Sequence, residues 1–242
     1  MVSGLEKFED MQQKIASQVD SSKTIDFYNI KKVAGFDCAF FDDQIVCGAV
    51  VIDAKTCQVI EKKYSVAKSS MPYIPGFLAF REGPAIIQTY FSLESEPDVL
   101  IIDGHGIAHE KKCGLATYVG IELNKPSIGV AKSLLIGEIK DNRIIINNEE
   151  RGALLKTKAH ANNLFVSPGH LIDINSCIQI AGKLVIPPHK FPEPLHEAHK
   201  FAKKTAIKLN GGEDIAHESG NYEESEQERL EKEFGVNSGS IV

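Results

Sequence analysis

The sequence predicts a mixed α/β fold: an antiparallel three-strand meander followed by parallel strands, in one sheet flanked by helices. Two observations predict it. From Val33 to Val66 the runs VAGFDCAFF, IVCGAVVID and CQVIEKKYSV, rich in β-branched and aromatic residues, are separated only by the turn segments DDQ and AKT, as hairpin-linked strands require. Beyond residue 80 the period changes. REGPAIIQTYFSLES reads as a helix and EPDVLIID as a short buried strand, then HEKKCGLATYVGIEL as a helix and KPSIGVAK as a strand; alternation of this kind means parallel strands joined by crossover helices.

Ahead of the meander, Leu5, Phe8, Gln12, Ile15 and Val19 fall at three- and four-residue spacing, so residues 4 to 19 are expected to form an amphipathic helix on the body. After the parallel strands, RIIIN, NLFVSPGH and KLVIP are further strand candidates. PEPLHEAHKFAKKTAIKL reads as a last helix opened by prolines. No repeat or linker divides residues 1 to 210, which are expected to form one domain. Residues 211 to 242 hold nine Asp or Glu against two Lys or Arg, a net of −7 within a total of −6, so the body stands near +1. That acidic segment reads as a disordered tail.

A chain of 242 residues that is 43% hydrophobic and 25% charged is ordinary globular material. No window approaches the roughly 18 consecutive apolar residues of a membrane span, and residues 1 to 20 mix charge with apolar side chains, unlike a signal peptide. The five cysteines include no CxxC pair, which argues against a disulfide framework and for reduced thiols in a cytosol. A cytoplasmic monomer without a membrane partner is the expectation.

Asp37 lies in an apolar strand, where a carboxylate is costly to bury unless a cation, a hydrogen-bond network or water meets it; an outward-facing strand residue is the plainer reading. Asp103 closes VLIID, a run too apolar for an edge strand, and ligand sites in α/β sheets cluster beyond the carboxyl ends of parallel strands. Its alternative is an ordinary Gly-rich turn. Glu82 opens the helix after the meander, where a first-turn acid equally complements the helix dipole. In this strand order the first and fourth strands are neighbours and the Glu82 helix packs over them, so the three acids can converge. Convergent carboxylates repel unless cations hold them. Hard oxygen ligands select Mg²⁺ or Mn²⁺, ions that activate water and stabilise the leaving oxygen in phosphodiester hydrolysis. Lys132, just past the next parallel strand, is placed to neutralise a phosphate, or else is a solvated lysine at a strand end.

His105 and His109 lack companions at zinc-site spacing. His109, at the start of the HEKKCGL helix, suits contact with a phosphate or the attacking water. His199 is placed to approach the acids from the last helix, with a packing histidine as the alternative; His196, almost a turn earlier, points elsewhere. In MPYIPGFLAFREGPAI, Pro72 and Pro75 bracket Tyr73 and Ile74. Two fixed φ angles make a stiff loop with a projecting tip, either a wedge or a Pro-rich turn holding a packed tyrosine.

GFDCAF, PYIPGFLAFREGP, DVLIIDGHGIAHEKKCGLATYVGIEL, KPSIGVAK and SPGH, in that order, resemble endonuclease V, the deoxyinosine 3′ endonuclease (deoxyribonuclease V) family, over about residues 5 to 209. The resemblance implies a ribonuclease H-like fold and a Mg²⁺-dependent DNA repair nuclease, Mn²⁺ substituting. It implies cleavage of the second phosphodiester bond on the 3′ side of a deaminated adenine, leaving 3′-hydroxyl and 5′-phosphate ends. Deoxyinosine-containing DNA is the implied partner, and inosine-containing RNA stays open as a second substrate. By the same resemblance Asp37 and Asp103 are the principal metal ligands, Glu82 the third acid, Lys132 the active-site lysine, His109 a catalytic histidine and His199 a candidate for a second metal. Pro72, Tyr73, Ile74 and Pro75 are the strand-separating wedge. Gly76, Leu78, Gly104, Leu115 and Gly129 line the pocket for the flipped base, where glycines give backbone access. With a nearly neutral body, binding rests on a local positive groove, for which Arg81, Lys111, Lys112, Lys132 and the HKFAKK helix are candidates. The rivals are another ribonuclease H-like nuclease, such as a hybrid-cleaving ribonuclease or junction resolvase, and a catalytically silent nucleic-acid-binding module.

Overall fold

The computed structural model describes residues 4–69, 71–158 and 162–211. The acidic tail expected at 211–242 lies outside them, apart from Gly211.

Helix α1 (Gly4–Ala16) is followed by the meander β1 (Lys32–Phe41), β2 (Gln44–Asp53) and β3 (Val59–Lys68), then α2 (Leu78–Tyr90), β4 (Val99–Asp103), α3 (Leu115–Leu123) and β5 (Ser127–Ala131). Strands β6 (Glu138–Lys140), β7 (Arg143–Ile146), β8 (Glu149–Leu155) and β9 (Leu164–His170) come next, with helices α4 (Ile174–Lys183) and α5 (Glu193–Leu209) last. The strands form one nine-stranded sheet in the order β3-β2-β1-β4-β5-β9-β8-β7-β6. β1, β4 and β5 run parallel; β2 and β3 on one side and β9 to β6 on the other pair antiparallel. This is the mixed sheet that the two periods in the sequence predict.

Helices cover both faces, which is why the central strands are apolar throughout instead of alternating. On one face Val33, Val50, Ile101, Ile128 and Val166 pack against Cys177 and Ile180 of α4 and Leu195 and Ala198 of α5. On the other, Phe36, Val51, Leu100 and Ile102 meet Ala85 and Ile86 of α2 and Leu115 and Val119 of α3. Each such large apolar side chain contributes about 1.5–3 kcal/mol when fully buried. α1 docks through Ile15 and Phe8, the latter with its ring 4.9 Å from that of Phe80.

Several boundaries differ from the sequence reading. α2 begins at Leu78, three residues before REGP, because burial of Ala79 and Phe80 draws the first turn into the body. Glu82 therefore sits in the second turn. α3 begins only at Leu115: Lys112 has φ of 55° and Gly114 is extended, so HEKKCG cannot be helical. KLVIP is no strand, since Lys183 ends α4 and Val185 makes one isolated bridge, to Pro192. β6, β8 and α4 were not anticipated. α4 carries a readable signal, as Asp173 accepts the Ser176 amide at 2.7 Å ahead of Ile174, Cys177 and Ile180.

Candidate active site

Asp37 lies on the face of β1 that α5 covers. A Cβ at Gly35 would stand 2.2 Å from the Pro194 carbonyl, and one at Gly48, the register partner of Asp37, 3.0 Å from the Ala202 nitrogen. Without those side chains, and with alanine at 198 and 202, α5 lies directly on β1 and β2. His199 is thereby held over Asp37, its Nδ1 2.6 Å from Oδ2, while Asp37 Oδ1 accepts the Cys38 amide at 2.8 Å.

Phe36 pairs with Ile102 across the parallel β1–β4 ladder, so Asp37 and Asp103 leave adjacent strands at the same level. Lys132, just past β5, places Nζ 3.5 Å from Asp103 Oδ2 and 5.6 Å from the centre of the Phe191 ring. Asp37, Asp103 and His199 each offer a ligand atom, and these atoms lie within 4.8 Å of one another. Among the described residues no other group of three or more His, Cys, Asp or Glu is so arranged. Their side chains are 12–23% exposed, so the cluster is recessed but open to solvent.

Burial drives the Asp103 carboxyl above its usual range; the Lys132 ammonium opposes this and the Asp37 charge adds to it. Burial also disfavours a charged His199, yet the hydrogen bond and negative charge of Asp37 outweigh it, and the ring titrates above the ordinary histidine value. Two carboxylates held this close favour a cation between them. An oxygen-rich set with one imidazole fits Mg²⁺ or, with the nitrogen, Mn²⁺.

Glu82 is buried on α2 and lies outside that three-residue group. It approaches β1 from the face opposite α5: the Cys38 thiol, pushed up by its contact with Cys47 and by burial, also feels the Glu82 charge. His109 occupies a turn, not a helix. Its Nδ1 accepts the Lys111 amide at 3.2 Å, so Nε2 carries the proton and donates to the Gly76 carbonyl at 3.0 Å. Both ring nitrogens are thus engaged within the protein, and the ring supports the 72–76 loop through Gly76. Gln12 of α1 donates to the same carbonyl at 2.6 Å.

In that loop Pro72 and Pro75 are exposed and Tyr73 and Ile74 half-buried. Arg81 backs it, its guanidinium carbon 4.2 Å from the centre of the Phe40 ring and 5.9 Å from that of Tyr73. Gly76 takes φ of 81° and Gly104 φ of 147°. Leu78 begins α2 half-buried, Leu115 begins α3 fully buried, and Gly129 on β5 abuts the backbone of residues 104–106. His196 stacks on His189 with ring centres 3.7 Å apart and is not one of the three clustered ligand residues. Lys111 and Lys112 are paired with Glu9 and Glu149.

Three residues of the site's surroundings escaped the sequence reading. Gln12 was read only as one position of an amphipathic helix. Arg151, 4% exposed, holds the Ile107 carbonyl at 3.4 Å and Glu149 at 2.9 Å. His105 lacks zinc-site companions in the sequence, and its residue type alone points to no other role. It is buried, and burial together with the neighbouring His109 pushes its pKa down to about 4, so the ring is neutral. Its Nδ1 has no hydrogen-bond partner among the described residues, an omission that costs on the order of 1–3 kcal/mol.

A mixed sheet in this order, with carboxylates delivered at the ends of two adjacent parallel strands, defines the class, a ribonuclease H-like α/β fold. The sequence model for endonuclease V matches residues 11–200, and the chain belongs to that family. It is 40% identical over 193 residues to endonuclease V of Geotalea uraniireducens, covering 76% of this chain and 82% of the relative. Over 209 residues it is 38% identical to endonuclease V of Dictyoglomus thermophilum, covering 83% and 90%. The crystal structure of endonuclease V from Bacillus subtilis superposes with a TM-score of 0.81 at 34% identity, covering 87% of this chain and 95% of the other. The same fold, at 24% identity, recurs in Ciona intestinalis endonuclease V (TM-score 0.77; 85% and 98% covered), solved with a 24mer DNA containing an inosine followed by a ribo-adenosine.

Proposed function

We propose that this chain is a divalent-metal-dependent endonuclease that recognises deaminated adenine in DNA and hydrolyses the second phosphodiester bond on its 3′ side, leaving 3′-hydroxyl and 5′-phosphate ends. The observation that carries the reading is the convergence of Asp37, Asp103 and His199 within 4.8 Å, with Lys132 alongside. Inosine-containing RNA is a second substrate to be tested beside DNA.

Asp37 and Asp103, with His199 and with Glu82 from the opposite face, would hold Mg²⁺ or Mn²⁺. The chemistry such an ion supplies is Lewis acidity toward the phosphodiester and acidification of water. Lys132 brings a fixed positive charge to the strand ends, where it offsets charge developing on a phosphate. The ring of Tyr73, on a loop stiffened by Pro72 and Pro75 and backed by Arg81, fills the space left in the duplex when the base turns out. Ile74 extends that wedge. Gly76, Leu78, Gly104, Leu115 and Gly129 bound the cavity for the extruded base, and His109 secures the wedge loop to it through the Gly76 carbonyl.

The test compares deoxyinosine-containing duplex, inosine-containing RNA and undamaged duplex, each with Mg²⁺ or with chelator, and maps the product ends. Metal-dependent incision at the second bond 3′ to inosine is expected. Equal cutting of undamaged duplex, or cutting in chelator, contradicts the reading.

A further inference from the structure

From Ala198 to its end, α5 carries Lys200, Lys203, Lys204 and Lys208 and no Asp or Glu. Lys200, Lys204 and Lys208 fall at four-residue spacing and form one row along the helix, while Lys203 stands four residues after His199, on the stripe that leads to the candidate site. All four are exposed. The two acids of α5 lie nearer its start and are drawn to other partners. Glu193 bonds His189 at 2.7 Å, and Glu197 accepts Lys62 of β3 at 2.6 Å, with Lys200 only at 3.8 Å. Like charges four residues apart on a helix repel, and the helix dipole offsets this only in the last turn, at Lys208. Among the described residues no ion pair reaches Lys204 or Lys208. The row is short of negative charge.

The same chain holds that charge. Residues 212–242 carry nine Asp or Glu against two Lys or Arg, and Glu223, Glu224, Glu226 and Glu228 fall together in the run EESEQE. The segment leaves the body at Gly211, two residues after α5 closes at Leu209. From Leu209 back to His199 is about 15 Å of helix, whereas the stretch from 212 to 222 can span up to about 40 Å. The Glu223–Glu228 group therefore reaches every lysine of the row. A tethered partner meets its site at an effective concentration on the order of millimolar, so individually weak surface ion pairs are enough to hold it.

We propose that the acidic segment 212–242 docks on the lysine face of α5 when no nucleic acid is bound, its carboxylates standing in for backbone phosphates, and that DNA displaces it. The docking follows from charge and tether; only the identity of the displacing partner rests on the function proposed above. The segment is then an intramolecular competitor of phosphate contacts. It weakens binding of damaged and undamaged duplex by the same factor, and most at low salt, where ion pairs are least screened.

The experiment applies carbodiimide, which couples a carboxylate to an amine in contact with it, to the full chain and maps the products by mass spectrometry. Couplings within one chain are expected between the Glu223–Glu228 group and Lys200, Lys203 and Lys204, in excess over the exposed Lys7, Lys14 and Lys55, and undamaged duplex should suppress them. Coupling to Lys208 alone reports only the tether and overturns the proposal, as does an even scatter over the body. Coupling confined to a dimer band assigns the row to a second copy and overturns it too. In parallel, fluorescence anisotropy in chelator measures DNA affinity of the full chain with Glu223, Glu224, Glu226 and Glu228 all changed to Gln. Binding should tighten roughly 3- to 30-fold at about 0.05 M salt, the worth of three exposed ion pairs, equally on deoxyinosine and undamaged duplex, and by less than about twofold at about 0.3 M. With Lys200→Gln, Lys204→Gln and Lys208→Gln already present, the same four changes should have little effect; an undiminished gain there shows a general charge effect and overturns the docking. If the wild type does not cut deoxyinosine but shows couplings that duplex removes, the proposed function fails and the docking stands. If it cuts and the couplings are absent, only this inference fails.

Discussion

Replacing Gly129 with alanine separates two accounts of that glycine. The new methyl would stand 2.5 Å from the Gly104 carbonyl oxygen, 2.5 Å from the Gly106 amide nitrogen and 2.7 Å from the His105 carbonyl carbon. All are backbone atoms, so no rotamer relieves them. Restoring ordinary contact, which begins at 3.4 Å, requires β5 or the 104–106 segment to move by the difference, 0.9 Å. Overpacking of this kind costs about 1–3 kcal/mol. At about 2–4 °C per kcal/mol for a domain of this size, Tm falls by roughly 2–12 °C without any substrate present. The same shift displaces the strand end that holds Asp103, and a misplacement of about 1 Å in a catalytic group costs on the order of 100-fold in rate. Thermal unfolding followed by circular dichroism, with cleavage kinetics on the same preparations, reads both. A Gly129→Ala protein that melts with the wild type but fails to bind deoxyinosine DNA would refute the packing account and restore a role purely in base access.

Three further outcomes are expected. Tyr73→Ala should reduce discrimination between inosine- and adenine-containing duplexes in a competition cleavage assay, and undiminished discrimination counts against the wedge. Gln12→Ala removes one of the two donors to the Gly76 carbonyl, at about 1 kcal/mol, and should speed amide hydrogen exchange across residues 72–78; unchanged exchange there contradicts a pinning role for α1. Stability should also fall with acid through His105, whose folded pKa of about 4 lies below its usual 6.5. Above pH 6.5 the ring is neutral in both states and carries no penalty; between 6.5 and about 4 the unfolded chain alone takes up the proton, so stability is lost as pH falls. At pH 5 the loss is about 2 kcal/mol. Urea denaturation at pH 7 and pH 5 should give His105→Asn a smaller acid loss than wild type, and equal losses would rule out His105 as the source.

The strand order was legible because it rests on strong local signals. Period-two runs with short turns form the meander, and apolar five-residue strands between helical stretches form the parallel core. Helix starts were not, because tertiary packing sets them: Phe80 is drawn into a cluster with Phe8 and Ile15, and Lys112 takes a left-handed conformation that its side chain does not advertise. Of the candidate site, Asp37, Asp103, Lys132 and His199 could be nominated from residue type at strand and helix ends. What the chain alone could not disclose is who pairs with whom. Gly35 and Gly48 look like weak strand residues until α5 is seen lying on them, and that close approach is what brings His199 to Asp37. His109 and His105 differ only in their neighbours: one is spent on Gly76, the other is left with an unmade acceptor.

The central claim is that the carboxylate of Asp103 serves metal-dependent phosphodiester hydrolysis at deoxyinosine. It is tested most directly by Asp103→Ala, assayed for Mg²⁺-dependent incision of a deoxyinosine duplex alongside a mobility shift on the same DNA. Loss of incision with retained binding is predicted. Incision by the variant at the wild-type rate would contradict it.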